Sequence, residues 1–192
     1  NVTYSTTPLG IIITEKNVIT VCTRGNPVLD EFTDGAVKWV QTNLKTRFIL
    51  HLMLRIATKY LQYLKQIDKL SSHVERELRK SMKNSELIQL LDIEKSLVYF
   101  SSSLKGSEIT IEKISRGRVV KLYEEDQDLL EDVLIEVRQA IEMSSIYLNI
   151  LSGTMDAFAS VISNNLNIVM KVLASITLII SIPTVISSFY GM

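Results

Sequence analysis

Residues 126–192 read DQDLLEDVLIEVRQAIEMSSIYLNILSGTMDAFASVISNNLNIVMKVLASITLIISIPTVISSFYGM and contain no proline before Pro183. Apolar residues recur along this stretch at alternating spacings of three and four, which is typical of one face of a long helix. The positions at this spacing are apolar apart from Ser144: Leu130, Leu134, Val137, Ile141, Leu148, Leu151, Met155, Phe158, Ile162, Leu166, Val169 and Leu173. At 1.5 Å per residue, a helix from Asp126 to Tyr190 would be roughly 100 Å long, so we predict a projecting stalk.

The end of this stretch has the composition of a membrane-spanning helix. No charged residue follows Lys171, and the uncharged run from Val172 to Met192 is long enough to cross a bilayer as one helix. Hydroxyl residues recur within the run at spacings that place them on one helix face: Thr177, Ser181, Thr184 and Ser188. A polar stripe on a spanning helix either packs against other helices or faces water. Both alternatives predict an oligomer, and the second predicts a pore.

The composition argues against several functional classes. The 192 residues carry 21 basic and 21 acidic side chains, and such a balance does not favour nucleic acid as a partner. His51 and His73 have no cysteine or histidine at ligand spacing, and no nucleophile–base set or phosphate-binding loop occurs, so we predict no enzyme activity. The single cysteine, Cys22, lies in an apolar alternating run and is predicted to be a small buried core residue.

The part of the chain before the stalk predicts a hairpin and two helices. β-Branched runs at Gly10–Thr14 and Val18–Thr23, joined by a polar turn, predict two antiparallel strands. A helical pattern then extends from Gly35 to Met82, and another from Ser85 to Lys113. A serine run and a glycine in the second helix are expected to end or loosen it.

Together these elements predict an α+β fold that is mostly α-helical. It would combine a partial small β-sheet, two long antiparallel helices and a very long stalk helix that continues into a transmembrane helix. We expect a remnant of an N-terminal α/β domain, a helical region, the stalk and the first transmembrane helix, over residues 1–34, 35–125, 126–171 and 172–192. Because the chain starts at Asn1 rather than at a methionine, we expect a fragment.

Polar residues on the stalk are candidate metal ligands. Asp156 and Asn167 lie three helical turns apart on about the same face, with Ser163 between them. In a ring of identical stalks they would form stacked rings of oxygen atoms. Mg²⁺ dehydrates reluctantly, so wide amide and hydroxyl rings suit it better than a tight cage. The alternative is that both are ordinary solvated residues of a coiled coil.

The approach to the apolar helix and its end carry a family resemblance. The segment SNNLNIVMKVLA, the uncharged helix with one proline, and the ending Tyr190, Gly191 and Met192 resemble the CorA-type magnesium transporters. The family signature continues Tyr-Gly-Met with an asparagine and then a second membrane helix, so the resemblance implies a chain truncated before both. More loosely, LGIIITEKNVITVCTRGNPVLDEF resembles late strands of the family's cytoplasmic domain.

The resemblance implies a subunit of a homo-oligomeric channel, a pentamer, with the bulk of this chain in the cytoplasm and the channel in the cell (inner or plasma) membrane. It would pass Mg²⁺, with Co²⁺ or Ni²⁺ as further substrates, and Mg²⁺ would also regulate it. The resemblance places Asp156 and Asn167 along the pore and Met170 at a gate that closes by dewetting. For Leu173, which follows Met170, packing between helices is the alternative. Asp132 matches an inter-subunit divalent site, whereas a solvated charged face is its alternative.

Two other functions remain open from the sequence. A zinc transporter of the same superfamily would share this build and differ in its selectivity. A tail-anchored helical adaptor or fusion protein would also combine cytoplasmic helices with one C-terminal span. The hydroxyl stripe, which consists of Thr177, Ser181, Thr184 and Ser188, distinguishes the adaptor from the transporters, because an inert anchor has no use for it.

Overall fold

The computed structural model describes residues 3–35, 37, 41–81, 83–117 and 119–191. Its elements are β1 (Leu9–Ile13), β2 (Val18–Cys22), α1 (Pro27–Thr33), α2 (Lys45–Ser81), α3 (Asn84–Ser115), a 3₁₀ turn (Glu124–Asp126) and α4 (Gln127–Tyr190). They sort into two compact units, residues 1–151 and 152–192, and α4 contributes to both. This set of elements confirms the predicted mostly helical α+β class, while the four predicted domain ranges stay predictions.

The strands β1 and β2 form the predicted hairpin. They pair antiparallel with Ile11 opposite Thr20, and the backbone N–H of Thr14 donates to the carbonyl of Asn17 at 2.8 Å to close the turn. One face of this two-stranded sheet is exposed, as at Val21, whereas the other is half-buried. Cys22 lies on the half-buried face as a free thiol, so the prediction of a fully buried cysteine is wrong. A two-stranded sheet has too few neighbours to bury it completely.

The short helix α1 was not expected from the apolar pattern. Asn26 caps it, because its side-chain oxygen accepts a hydrogen bond from the Val28 backbone N–H at 3.0 Å, and Pro27 occupies the first turn. Glu31 fastens α1 to α2 through ion pairs with Arg55 at 2.5 Å and Lys59 at 2.6 Å. Hydrogen bonds from these two cations lower the pKa of the Glu31 carboxyl.

The predicted helix from Gly35 to Met82 begins too early in the chain. Gly35 has φ of +68°, a left-handed conformation that suits glycine, and α2 begins only at Lys45. Residues 36 and 38–40 and Met82 lie outside the described residues. Lys45 donates to the carbonyl of Thr14 at 2.9 Å, so the start of α2 is tied to the hairpin turn.

The three long helices pack side by side within the first unit, and consecutive helices run in opposite directions. The Tyr60 ring of α2 meets the Phe100 ring of α3 edge-on at 5.0 Å. Further along, Arg138 of α4 donates to Glu108 of α3 at 2.9 Å, and Ser144 of α4 donates to the Leu97 carbonyl at 3.2 Å. A core cluster joins all three helices: Leu50, Ala57, Ile111, Ile114, Leu130, Val133 and Val137. Burial of this apolar surface is the main stabilising contribution.

The helix α3 continues through the serine run Ser101–Ser103 and through Gly106, so of the two predicted outcomes, an end or a loosening of the helix, the first is wrong. Hydroxyl groups in this region find partners without breaking the helix. Ser103 donates to the Thr6 hydroxyl at 2.9 Å, and Thr110 donates to the carbonyl of Gly106 at 3.0 Å. With these groups satisfied, the burial of neighbouring apolar residues outweighs the weak helix preference of serine and glycine.

The helix α4 is continuous over 64 residues, including Gly153, as predicted. Its buried positions within the first unit follow spacings of three and four, from Leu130 through Val137 and Ser144 to Leu151. Ser144, the exception in the apolar pattern, is fully buried and donates its hydroxyl to the Leu97 carbonyl. A small hydroxyl residue fits there because its donor is satisfied.

Candidate functional site

The predicted site residues all lie on α4 or directly after it, and those described are exposed or, for Gly191, half-buried. Asp132 belongs to the first unit. The second unit contains the others: Asp156, Ser163, Asn167, Met170, Leu173, Thr177, Ser181, Thr184, Ser188, Tyr190 and Gly191. Met192, the last residue of the predicted signature, lies outside the described residues. The site is therefore a surface along one helix.

The hydroxyl stripe presents acceptor atoms to its surroundings. Thr177 donates to the carbonyl of Leu173 at 2.9 Å, Ser181 to that of Leu178 at 2.8 Å, and Thr184 to that of Ile180 at 2.8 Å. Each hydroxyl thus uses its only hydrogen on the backbone of its own helix. Its oxygen lone pairs remain available for water or for a cation.

The same helix has a hydroxyl on its opposite side. Ser175 donates to the carbonyl of Lys171 at 2.9 Å, and it lies two residues before Thr177. Two residues correspond to about 200° around a helix, so Ser175 does not belong to the stripe. It offers a matched control for Thr177 because both side chains make the same kind of bond.

Pro183 lies inside α4 without ending it. Proline has no backbone N–H, so the carbonyl of Ile179 does not receive the usual hydrogen bond from the residue four positions later. Unpaired backbone groups are costly in a bilayer, and nearby hydroxyls or neighbouring helices usually satisfy them. The proline is therefore compatible with a spanning helix that has polar neighbours.

Asp156, Ser163 and Asn167 lie on exposed surface of the second unit. The eleven residues from Asp156 to Asn167 correspond to about 16 Å along the helix axis. Among the residues that the structure describes, no group of three or more histidine, cysteine, aspartate or glutamate side chains comes together to hold a metal ion. The three side chains hold their oxygen atoms at separate heights, so one chain would offer a metal ion only one of these oxygens at each height.

Met170 and Leu173 follow Asn167 and are 62% and 56% exposed. Every residue from Leu166 to Tyr190 is exposed, although most of them are apolar. The helix contains an 18-residue window with a mean hydropathy of 2.1 and no buried residue. By length and composition, α4 can cross a membrane.

The family and relatives of the chain agree with this description. A family model described as "CorA-like Mg2+ transporter protein" matches residues 1–192. A protein of Methanocaldococcus jannaschii named "Cobalt/magnesium transport protein CorA" is 27% identical over 144 residues. This match covers 75% of the chain and 45% of the relative, so the chain spans about half the length of that protein.

Two solved structures share the fold. The complete structure of the CorA magnesium transporter from Methanocaldococcus jannaschii matches with a TM-score of 0.78 at 21% identity, over 97% of this chain and 64% of that one. The soluble domain of CorA from the same organism matches with a TM-score of 0.70 at 22% identity, over 77% and 61%. The match of the family model over the full length shows that the chain belongs to the CorA-like Mg²⁺ transporter family.

Proposed function

We propose that this chain is part of a subunit of a homopentameric transporter that passes Mg²⁺ across the cell membrane. The bulk of the chain would lie in the cytoplasm, and α4 would cross the membrane with its C-terminal end. The observation that carries the proposal is the continuous exposed helix with an oxygen-bearing stripe on an apolar surface. Family membership and the name of the related cobalt/magnesium transport protein support it. They also favour this function over a tail-anchored adaptor.

The proposed path follows from repeating α4 around an axis. Identical copies would place Asp156, Ser163 and Asn167 in rings of carboxylate, hydroxyl and amide oxygens. The carboxylate ring attracts a cation, and the outward lone pairs of the hydroxyl stripe accept hydrogen bonds from its water shell. Because Mg²⁺ releases its waters reluctantly, we propose that it passes these rings with waters bound.

Met170 and Leu173 would close the same path. They are large, apolar and exposed, and they lie about one and two helical turns after Asn167. A ring of such side chains excludes water when it narrows, and a hydrated ion cannot pass a dry constriction. We therefore assign the gate to this level of α4.

The test is ion uptake by proteoliposomes that contain the protein and a Mg²⁺-sensitive dye. We expect Mg²⁺ entry down its gradient, with slower entry of Co²⁺ and Ni²⁺, and entry of Zn²⁺ slower still. Faster entry of Zn²⁺ than of Mg²⁺ would favour the zinc transporter. Liposomes that take up no divalent cation above the protein-free control would contradict the transport proposal.

Asp132 is proposed to sense Mg²⁺ between subunits. It is exposed in the first unit, so a second subunit can approach it. The carboxylate of Asp132 and a carboxylate of the neighbouring subunit would repel each other, and a bound cation would relieve this repulsion. Occupancy of the site by Mg²⁺ would therefore hold neighbouring subunits together. Asp132→Lys is expected to remove at least half of the protection that millimolar Mg²⁺ gives against proteolysis.

Asp68→Lys makes the same charge change at an exposed position of α2 and is the control for this experiment. We expect it to keep the protection of the unmodified protein. If Asp132→Lys retains full Mg²⁺-dependent protection, Asp132 is a surface charge and the regulatory site lies elsewhere.

A further inference from the structure

The helix α3 has a second apolar face that nothing in the described chain covers. One face is buried, with Leu97 and Leu104 in the core of the first unit. The other exposes Val98 and Ile109, the latter by 55%, although both are aliphatic. Small exposed residues between them leave room for a neighbour. Exposed apolar strips of this kind are typical of interaction surfaces.

The exposed charges of α3 all have one sign. The exposed charged residues of α3 are Lys95, Lys105 and Lys113. None of them forms an ion pair with another described residue. The acidic residues Glu108 and Glu112 are half-buried and bind Arg138 instead. We call the exposed set Lys95, Val98, Lys105, Ile109 and Lys113 the basic face of α3.

The helix α4 has an exposed face with two acidic residues, and Arg138 on the same side is already paired with Glu108 and Glu112 of α3. Ile135 is 55% exposed, and Ile146, about three turns later, is exposed as well. The acidic residues Glu131 and Glu142 lie on the same side, since residues 131, 135, 142 and 146 follow spacings of about one or two turns. Within the described residues neither carboxylate has an ion-pair partner. We call Glu131, Ile135, Glu142 and Ile146 the acidic face of α4.

These two faces cannot meet within one chain. Each helix turns its opposite side, with Leu104 of α3 and Val133 of α4, into the core. We propose that the basic face of α3 packs against the acidic face of α4 in the next copy of the chain. Because the two surfaces differ, the contact is heterologous and repeats from copy to copy, which generates a ring when the rotation closes. This inference rests on the homo-oligomer of the proposed function.

The heights of the residues along the helices agree with this contact. Arg138 of α4 reaches Glu108 of α3, and Ser144 of α4 reaches Leu97 of α3. Because the two helices run in opposite directions, a residue of α3 and a residue of α4 lie at the same height when their numbers add up to about 241 to 246. A rotation about an axis parallel to the helices carries each residue to the same height in the next copy of the chain. Ile109 then meets Ile135 of the next copy, and Val98 meets its Ile146.

The charges fit the same register. Lys113 lies at the height of Glu131, and Lys105 lies close to that of Glu142. Exposed ion pairs add little affinity, but they fix orientation and reject wrong registers. The aliphatic contacts would supply the binding, and the four charges would select the correct neighbour.

The test is disulfide cross-linking of the whole chain in detergent, in a Cys22→Ser background. Ile109→Cys and Ile135→Cys are combined in one chain, because a disulfide requires Cα atoms within about 7 Å. We expect a ladder of covalent multimers on a non-reducing gel. Either cysteine alone should give no ladder, because a heterologous contact does not bring identical positions together.

A mismatched pair, Ile88→Cys with Ile135→Cys, controls for random collision, and both of its positions are exposed isoleucines. We expect the matched pair to cross-link about tenfold more, because the mismatched cysteines lie too far apart for a disulfide. Lys113→Glu should lower the yield, and adding Glu131→Lys should restore it. Lys69→Glu, at an exposed position of α2, should leave it unchanged.

The molecular mass of the unmodified chain separates two claims: that the chain forms a homo-oligomer, and that its copies meet through the basic face of α3 and the acidic face of α4. An oligomer that gives no ladder with the matched pair overturns the interface and leaves the proposed function intact. Equal cross-linking of the single-cysteine variants overturns it as well. A chain that is monomeric under all conditions overturns both the interface and the homo-oligomer.

Discussion

Asn167→Ala is expected to lower the initial rate of Mg²⁺ uptake into proteoliposomes by about tenfold. Asn167 is exposed on α4, so its removal takes an amide oxygen from every copy around the proposed path without removing core packing. A hydrogen bond contributes about 1 kcal/mol, and a change of 1.4 kcal/mol in a barrier corresponds to a tenfold change in rate. Asp156→Ala should act in the same direction, because it removes the carboxylate that attracts the cation.

Asn165→Ala is the matched control for this experiment. Asn165 is the same residue type, is also exposed, and lies two residues before Asn167, about 200° around the helix. We expect it to keep at least half of the uptake rate, with unchanged circular dichroism in all three variants. If Asn167→Ala and Asn165→Ala transport equally fast, the amide of Asn167 does not face the path.

The sequence pattern predicted the elements with long or strongly periodic signals. The helix α4 follows from its apolar spacing and from the absence of proline before Pro183, and the structure confirms that it continues through Gly153. The hairpin follows from two β-branched runs around a polar turn. In both cases local preference and burial act in the same direction, so the pattern suffices.

Other elements were missed because their signals are short or ambiguous. The seven residues of α1 are too few to show a helical period, although Asn26 and Pro27 are a recognisable start signal. In α3, Leu97 and Val98 are adjacent apolar residues. Only the packing reveals that Leu97 is buried and Val98 is exposed on a second face.

The sequence predicts the positions of the candidate site residues along α4 but not the distances between copies of the chain. Residue spacing places Asp156, Asn167 and the hydroxyl stripe on α4, and the structure adds that three of the hydroxyls donate to their own backbone. In the proposed oligomer, the partners of these residues across the axis would belong to other copies. No pattern within one chain determines their distances, and for that reason the cross-linking and transport experiments use the assembled protein.

Val133→Asp is expected to unfold the first unit or to lower its free energy of unfolding by about 4 kcal/mol or more. Val133 is fully buried in the cluster where α2, α3 and α4 meet, beside Leu50 and Ile111. An aspartate there loses its water without gaining a partner and also replaces apolar contacts, and changes of this kind lie at the upper end of single-residue effects. Since a whole domain is stable by only about 5–15 kcal/mol, much of the chain should lose its fold.

The measurement is urea denaturation followed by far-ultraviolet circular dichroism, with Ser145→Asp as the control. Ser145 is exposed on the same helix, so its aspartate stays in water and should change the free energy of unfolding by less than about 0.5 kcal/mol. Because an aspartate is protonated in acid, Val133→Asp should recover part of its stability relative to Ser145→Asp as the pH falls. A midpoint for Val133→Asp equal to that of Ser145→Asp would show that α4 does not pack against α2 and α3 through this residue.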